Sequence, residues 1–355
     1  MLATILETYG LNPQECTIQP FGTGLINHTW VLRKGDEEYI LQQINNNVFK
    51  EPFAISENIR AIGSYLKQHH PNYLFVTPIH SPDNKNLIHT EEGYFRIFPF
   101  VKDSVTYTTL ESPELAFEAA KQFGRFTHNL AGFDESVLQQ TIPNFHDLTL
   151  RDEQFKASLI HGNKERIAEA HEVLTQLEKC RYIVDEFEQI KINPQFKIRV
   201  MHHDTKISNV LFDKQNRGLC VIDLDTVMPG FFISDIGDMM RTYLAAASEE
   251  ETDFSTVQVR EEYFVAIVEG YLSEMKNELT NEEKNSFIYA GKFMIYMQAI
   301  RFLADHFMND VYYGATYKGQ NFNRAVNQLY LLKSLEEKEE NLLKKIKSTP
   351  VHCEV

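Results

Sequence analysis

Cysteine is scarce in this chain and widely scattered. The four, Cys16, Cys180, Cys220 and Cys353, form no CxxC pair, which excludes a zinc ribbon or dense disulfide framework and points to a reducing compartment. No stretch approaches the ~18 consecutive apolar residues of a membrane helix, so no membrane partner is expected. The opening MLATILETYGLNPQE lacks a basic n-region and an apolar core, so no signal peptide is read there and a cytoplasmic location is expected. An excess of positive charge is also missing. The formal net charge is −15, which argues against nucleic acid or an anionic membrane as partner. No GxGxxG opens a helix, and neither GxxxxGK[ST] nor HExxH occurs, so the Rossmann, P-loop and zincin readings fall away. What is present is 43% apolar and 24% charged residues, the balance of a soluble globular protein. The 355 residues suggest about two units at roughly 150 residues each.

The pattern changes along the chain. Residues 1–10 read as a short helix stopped by Gly10. Segments 17–21 and 28–33 read as strands joined across Gly22-Thr23-Gly24, and 38–45 as a third strand. From Pro52 to Gln68 apolar residues recur at helical spacing, and 73–80 and 87–100 read as further strands. Beyond them, 114–130 and 150–190 are helical by period, and short strands are expected at 197–201, 210–213 and 219–223. After Asp235 the chain reads as helical through 235–247, 257–277, 280–308 and 320–346. The charge run EEKEEN followed by KKIK is the solvated face of the last helix. The expected class is α+β, two-lobed. A small β-rich N-terminal lobe (1–101) binds nucleotide and a larger, mainly helical C-terminal lobe (102–355) carries catalysis and acceptor binding, with the small-molecule cleft between them.

The most informative segment is His202-His203-Asp204-Thr205-Lys206-Ile207-Ser208-Asn209. An Asp followed five residues later by Asn is the spacing of a kinase catalytic loop. Phosphoryl transfer to a hydroxyl needs a carboxylate to accept its proton, which Asp204 supplies, and oxygen ligands for a metal beside the phosphate, one of which Asn209 supplies. Fourteen residues further on, Val221-Ile222-Asp223-Leu224-Asp225 ends an apolar strand in acids, suited to the hard oxygen preference of magnesium. If that strand runs to 225, Asp223 and Asp225 share a face. A His-His-Asp metal site is the competing reading, but adjacent histidines on a strand would face opposite ways.

On the phosphate side, Gly22, Thr23 and Gly24 permit a tight turn and close backbone approach to phosphate oxygens. A kinase places a Lys on the third strand, whereas Gln42 stands there. Glu57, in the next helix, would be that Lys's partner, or simply a surface acid. Ile97-Phe98-Pro99-Phe100-Val101 could form a hinge, with Pro99 and Val101 against the adenine.

These residues resemble a known family. HHDTKISNVLFD, followed by CVIDLDTVMPGFFISDIGDMMR, is similar to the aminoglycoside phosphotransferase and choline kinase superfamily, most closely its N-acetylhexosamine 1-kinase branch. The resemblance extends back to FGTGLINHTW, LQQIN and YFRIFPF and forward to QAIRFLADHFMNDVYY, spanning residues 18–315. It implies a protein-kinase-like fold, ATP as co-substrate, Mg2+ on Asn209 and Asp223 with Asp225 assisting, and Asp204 as base. Arg301 and Tyr312 match positions that contact the sugar, and Asn27 and His28 lie in the matching N-terminal segment. The family commonly has Gly where His203 stands. The branch often has His where Leu25 stands, a contact His28 would replace. At i and i+4, Arg301 and Asp305 could instead pair on the helix surface, with Met308 on the same face. The implied activity is Mg-ATP-dependent phosphorylation of a sugar hydroxyl, the anomeric one of an N-acetylhexosamine. The alternatives are a kinase of the same fold acting on an aminoglycoside, choline, ethanolamine or homoserine, and a non-catalytic nucleotide-binding module.

Overall fold

The computed structural model describes residues 2–22 and 26–347. Thr23, Gly24 and Leu25, and with them part of the expected glycine turn, lie outside the described residues.

The chain opens with helix α1 (Leu2–Thr8), then strands β1 (Cys16–Pro20), β2 (His28–Lys34) and β3 (Glu37–Ile44), helix α2 (Pro52–His69), and strands β4 (Ile88–Thr90) and β5 (Gly93–Pro99). The five strands form one antiparallel sheet in the order β1-β2-β3-β5-β4. Its two faces follow from the period of two. Leu32, Leu41, Phe95 and Ile97 pack under Ile5 and Leu6 of α1. Gln42 sits opposite Arg96 on β5 and opposite Thr29 on β2, so these three turn to the other face, toward the rest of the molecule. The strand expected at 73–80 does not form. Pro71 and Pro78 remove ladder donors, and one bond, from Ile79 N–H to the Ile97 carbonyl, ties the segment to the sheet. The strand expected at 87–100 is two, divided by the turn at Gly93, whose φ is +127°.

The second part continues with α3 (Pro113–Asn129), α4 (Leu148–His161), α5 (Lys164–Glu169), α6 (His171–Lys179) and α7 (Tyr182–Ile192). One long helical stretch at 150–190 is thus four helices. Asn163 caps α5 after the break at Gly162, accepting from the amides of Glu165 and Arg166 and so satisfying donors that a continuous helix would not expose. Next come β6 (Ile198–Met201), β7 (Val210–Phe212), β8 (Gly218–Val221), β9 (Met228–Phe231) and α8 (Phe232–Tyr243). The chain closes with α9 (Glu261–Met275), α10 (Asn281–Asn285), α11 (Phe287–Phe307) and α12 (Gln320–Lys347). The helix expected at 280–308 breaks at Ser286, and Thr280 and Glu283 form a capping box at the start of its first piece, α10. Nearly every residue of α11 is buried, as expected of a helix apolar all round. α12, α8, α4 and α7 pack against it in the main core, and α3 and α9 pack on each other beside it.

β6 pairs with β9, and β7 with β8. This places the loop 202–209 beside the loop 222–227. Asn58 of α2 donates to the carbonyls of Gln139 and Val227, fixing that helix on the larger lobe next to the second loop.

Candidate active site

The two loops are bonded to each other at several points. Thr226 Oγ1 donates to the His202 carbonyl (2.7 Å) and Ile222 N–H to the Asn209 carbonyl (2.9 Å), while within the first loop Asn209 Nδ2 donates to the Asp204 carbonyl (2.9 Å). The last bond engages the amide nitrogen of Asn209, and its oxygen accepts only a long bond from Ser208 Oγ (3.5 Å), which leaves capacity for another partner.

The loop 202–209 is held from beneath by two acids in the first turns of α8. Asp235 accepts from His202 N–H (3.0 Å) and His203 N–H (2.7 Å), and Asp238 from Thr205 N–H (2.8 Å). Tyr243 adds a bond to the Thr205 carbonyl. These supports do not announce themselves by loop spacing. The available signal was an acid at two positions of an otherwise apolar helix. Burial pushes the Asp235 carboxyl up to about 7, against the two amides that favour its charged form.

His203 has a φ of +66°, a left-handed conformation that a side chain takes at a cost of roughly 1–2 kcal/mol. A glycine would adopt it freely. The imidazole lies flat on Gly230. A Cβ at Gly230 would come within 2.4 Å of the ring, so the larger residue at 203 requires the small one at 230. Ser234 Oγ bonds both His203 Nδ1 (2.6 Å) and His146 Nδ1. Burial keeps both imidazoles neutral, His203 near 4. Ser234 thus ties His203 to His146, and among the described residues the His202-His203-Asp204 segment forms no metal-holding cluster.

Asp204 and Asp223 face different electrostatics. Burial pushes the Asp204 carboxyl up, but Lys206 at 2.9 Å, with His202 and Asn209, outweighs it, and the net shift is downward. Asp204 is therefore ionised at neutral pH and ready to accept a proton. Asp223, with φ +58°, can be reached by water, yet it sits at the floor of a cleft crowded by protein. That desolvation, then the charges of Asp225 and Asp204, raise it to about 7. The expectation that Asp223 and Asp225 share a strand face does not hold. β8 ends at Val221, and the left-handed Asp223 begins a short turn over Leu224–Thr226. Asp225 consequently points to the small lobe, 2% exposed, with Arg96 Nη2 2.6 Å from its Oδ1 and Asn27 Nδ2 2.8 Å from its Oδ2. Oδ2 accepts a hydrogen bond from Asn27, and Oδ1 is in ionic contact with Arg96.

Arg96 is a site residue that no sequence motif marks. It lies directly across from Gln42, whose Oε1 accepts from its Nε (3.1 Å) and Nη2 (2.8 Å). An arginine on the face of β5 shared with Phe98, opposite a polar residue at the expected lysine position, was the available sign. Glu57 has no part here. It is exposed and pairs with Arg60 at 2.6 Å, so the surface reading is correct. Asn27 is brought to the site, its oxygen accepting from Asn45 N–H. His28 is not: it is exposed, on the α1 face of the sheet beside Trp30. Gly22 turns with φ +76° at the mouth of the cleft, where Phe21 meets Phe100 edge-on. Pro99 points outward, whereas Val101 joins Val76, Phe98, Leu211, Leu219, Cys220 and Ile222 in an apolar cluster between the lobes.

On the opposite side, Arg301 Nη1 donates to Gln298 Oε1 (3.2 Å), and its guanidinium lies 5.6 Å from the Tyr313 ring centre and 6.0 Å from that of Tyr312. The pairing with Asp305 is not made. Asp305 accepts instead from the amides of Tyr312 and Tyr313 and from Asn321, and Met308 lies beyond the helix end. These bonds fold the chain back after left-handed Asn309 and Asp310, bringing Tyr312 to Arg301. Arg301 in turn stands close enough to His146 to disfavour its charged form, which links this group to the catalytic loop.

The sequence matches the profile of the phosphotransferase enzyme family over residues 17–274, and the chain belongs to that family. Solved structures share its fold across nearly the whole length. A spectinomycin phosphotransferase, in complex with ADP and spectinomycin, is 13% identical with a TM-score of 0.60, over 96% of this chain and 97% of that one. A microcompartment-associated aminopropanol kinase is 14% identical with a TM-score of 0.63 over the same shares. A choline kinase from Cryptosporidium parvum Iowa II is 15% identical with a TM-score of 0.59, over 98% of each chain. The fold is kinase-like, a small antiparallel-sheet lobe followed by a larger helical one, and the family is one of phosphotransferases.

Proposed function

We propose that this phosphotransferase uses ATP and magnesium to phosphorylate a sugar hydroxyl, the anomeric one of an N-acetylhexosamine. The observation that carries the choice of acceptor is the state of the acids around Arg301. Asp305 is engaged by two amides and Asn321, Asp238 by Thr205 and Arg241, and Glu249 by Arg241 and Arg324. A pocket for a cationic aminoglycoside, choline or ethanolamine needs free negative charge. This side instead presents a guanidinium, aromatic rings and Gln298, groups suited to hydroxyls and an N-acetyl carbonyl.

In this reading the division falls near residue 101. The adenine enters the apolar cluster of Phe98, Val101, Leu211 and Ile222, and the phosphates run beneath the turn at Gly22. Asp204 accepts the proton of the attacking hydroxyl, held in place by Asp235 and Asp238, while Arg301 and Tyr312 orient the sugar. The donor set fits a magnesium ion. Asp223 is a carboxylate raised by desolvation and by like charges that a cation would relieve, and the Asn209 oxygen carries only a long bond from Ser208 Oγ (3.5 Å). Among the described residues no cluster of three or more His, Cys, Asp or Glu is built for a metal, but magnesium needs only one or two protein oxygens when phosphates and waters complete its shell. Bound there, it would supply positive charge for the phosphates. ADP release with Mg-ATP across a panel of sugars, amino alcohols, homoserine and aminoglycosides tests the proposal. Turnover is expected with N-acetylhexosamines, and faster turnover of any amine would overturn it.

A further inference from the structure

A kinase cleft needs a fixed cation against the nucleotide phosphates, and Gln42 cannot provide it. The structure holds a buried cation one strand away. Arg96 is 3% exposed. Its Nε and Nη2 meet Gln42, and Nη2 is also in ionic contact with Asp225, although that contact lacks hydrogen-bond alignment. Nη1 is buried with no hydrogen-bond partner among the described residues. A charged donor left unsatisfied in a dry site is unfavourable, and such groups call for an explanation.

Its surroundings indicate what would satisfy it. Thr29, just after the glycine turn, receives a bond from Gln42 Nε2, so Thr29, Gln42 and Arg96 form a row across three strands on the cleft face. On one side the guanidinium lies 4.9 Å from the ring centre of Phe98, a member of the apolar interlobe cluster. On the other it is near enough to Asp223 to oppose the rise of that carboxyl. It stands between the apolar slot and the carboxylates, where a chain of phosphates would pass.

We propose that Arg96 is the phosphate-binding cation of this enzyme. It would replace the missing strand-three lysine from the neighbouring strand, with Gln42 and Asp225 orienting its fork and Nη1 donating to a nucleotide phosphate oxygen. The assignment rests on the reading of the cleft as a nucleotide site, and the test separates the two. Binding of adenosine and of ADP is measured calorimetrically with chelator present, so no metal contributes. The measurement is made in Asp225→Asn and in Asp225→Asn/Arg96→Gln, a pair in which removing Arg96 strands no buried aspartate. Adenosine binding to the wild type tests the nucleotide reading, and its absence overturns that reading. For Arg96, the double variant is expected to bind ADP roughly ten- to a hundredfold more weakly than the single one, with adenosine affinity within about twofold. Adding Gln42→Lys to the double variant should restore part of the ADP affinity. Equal ADP affinity in the single and double variants would show that Arg96 serves Asp225 alone. Equal weakening of adenosine and ADP would show that it maintains the cleft. Either result overturns the proposal.

Discussion

The floor and the roof of the cleft solve their chemistry in different ways. On the floor, Asp204, Asn209 and Asp223 are delivered by two short loops whose strands pair directly, so their spacing along the chain is their spacing in the site. On the roof, the charge expected on β3 stands on β5, a shift of more than fifty positions in sequence but one strand in space. Local loops preserve a motif. A sheet preserves only a face, and a cation can cross to a neighbouring strand and still point into the same cleft.

The sharpest break in this comparison is on the floor. Asp204→Asn should leave the protein folded and lower kcat by about 10²–10⁴-fold, the usual loss for a general base. Near-wild-type turnover would remove Asp204 from its role. Next in size is the support beneath it. Asp235→Ala strips partners from two buried amides, each worth roughly 1–3 kcal/mol when left unsatisfied, so denaturant unfolding should show a loss of about 2–5 kcal/mol. A loss below about 1 kcal/mol would mean that the loop is held by its other contacts.

On the acceptor side, Arg301→Ala should raise the sugar KM about ten- to a hundredfold while leaving the ATP KM near its wild-type value. An equal rise in both, with a lower Tm, would mark Arg301 as a structural residue. A smaller effect concerns pH. The Asp223 carboxyl is raised to about 7, above its unfolded value near 3.9, so the folded state prefers it protonated. Its favourable contribution is complete below the unfolded value and is lost as pH climbs through 7. In metal-free protein, Asp223→Asn should therefore raise Tm by a degree or more at pH 8, and the gain should fade as pH falls from 7 toward 4. A gain that is flat across that range would contradict the crowded-carboxylate account. The smallest expected change is Glu57→Ala. Its exposed pair with Arg60 is worth at most about 1 kcal/mol, and kcat and both KM values should stay within about twofold.

The same contrast explains what could be read in advance. The two-lobed α+β class and the pairing of the strands that carry Asp204 and Asp223 were legible because they rest on local patterns: period-two strands and period-3.6 helices. The positions of Asp225 and His28 were not. Asp225 depended on whether a strand ended at residue 221 or ran on, a boundary set by the left-handed turn at Asp223. His28 depended on which face of β2 met α1. Arg96, His146 and Asp235 are defined by partners far away in sequence, visible only once Gln42, Ser234 and the amides of His202 and His203 are placed beside them.

The central claim is most directly tested by the identity of the product. The enzyme is incubated with Mg-ATP and an N-acetylhexosamine, and the new phosphorus resonance is examined for coupling to the sugar protons. The account predicts a phosphomonoester whose phosphorus couples to the anomeric proton. A phosphate on the primary hydroxyl, or no sugar phosphate alongside ready phosphorylation of choline or an aminoglycoside, would contradict it.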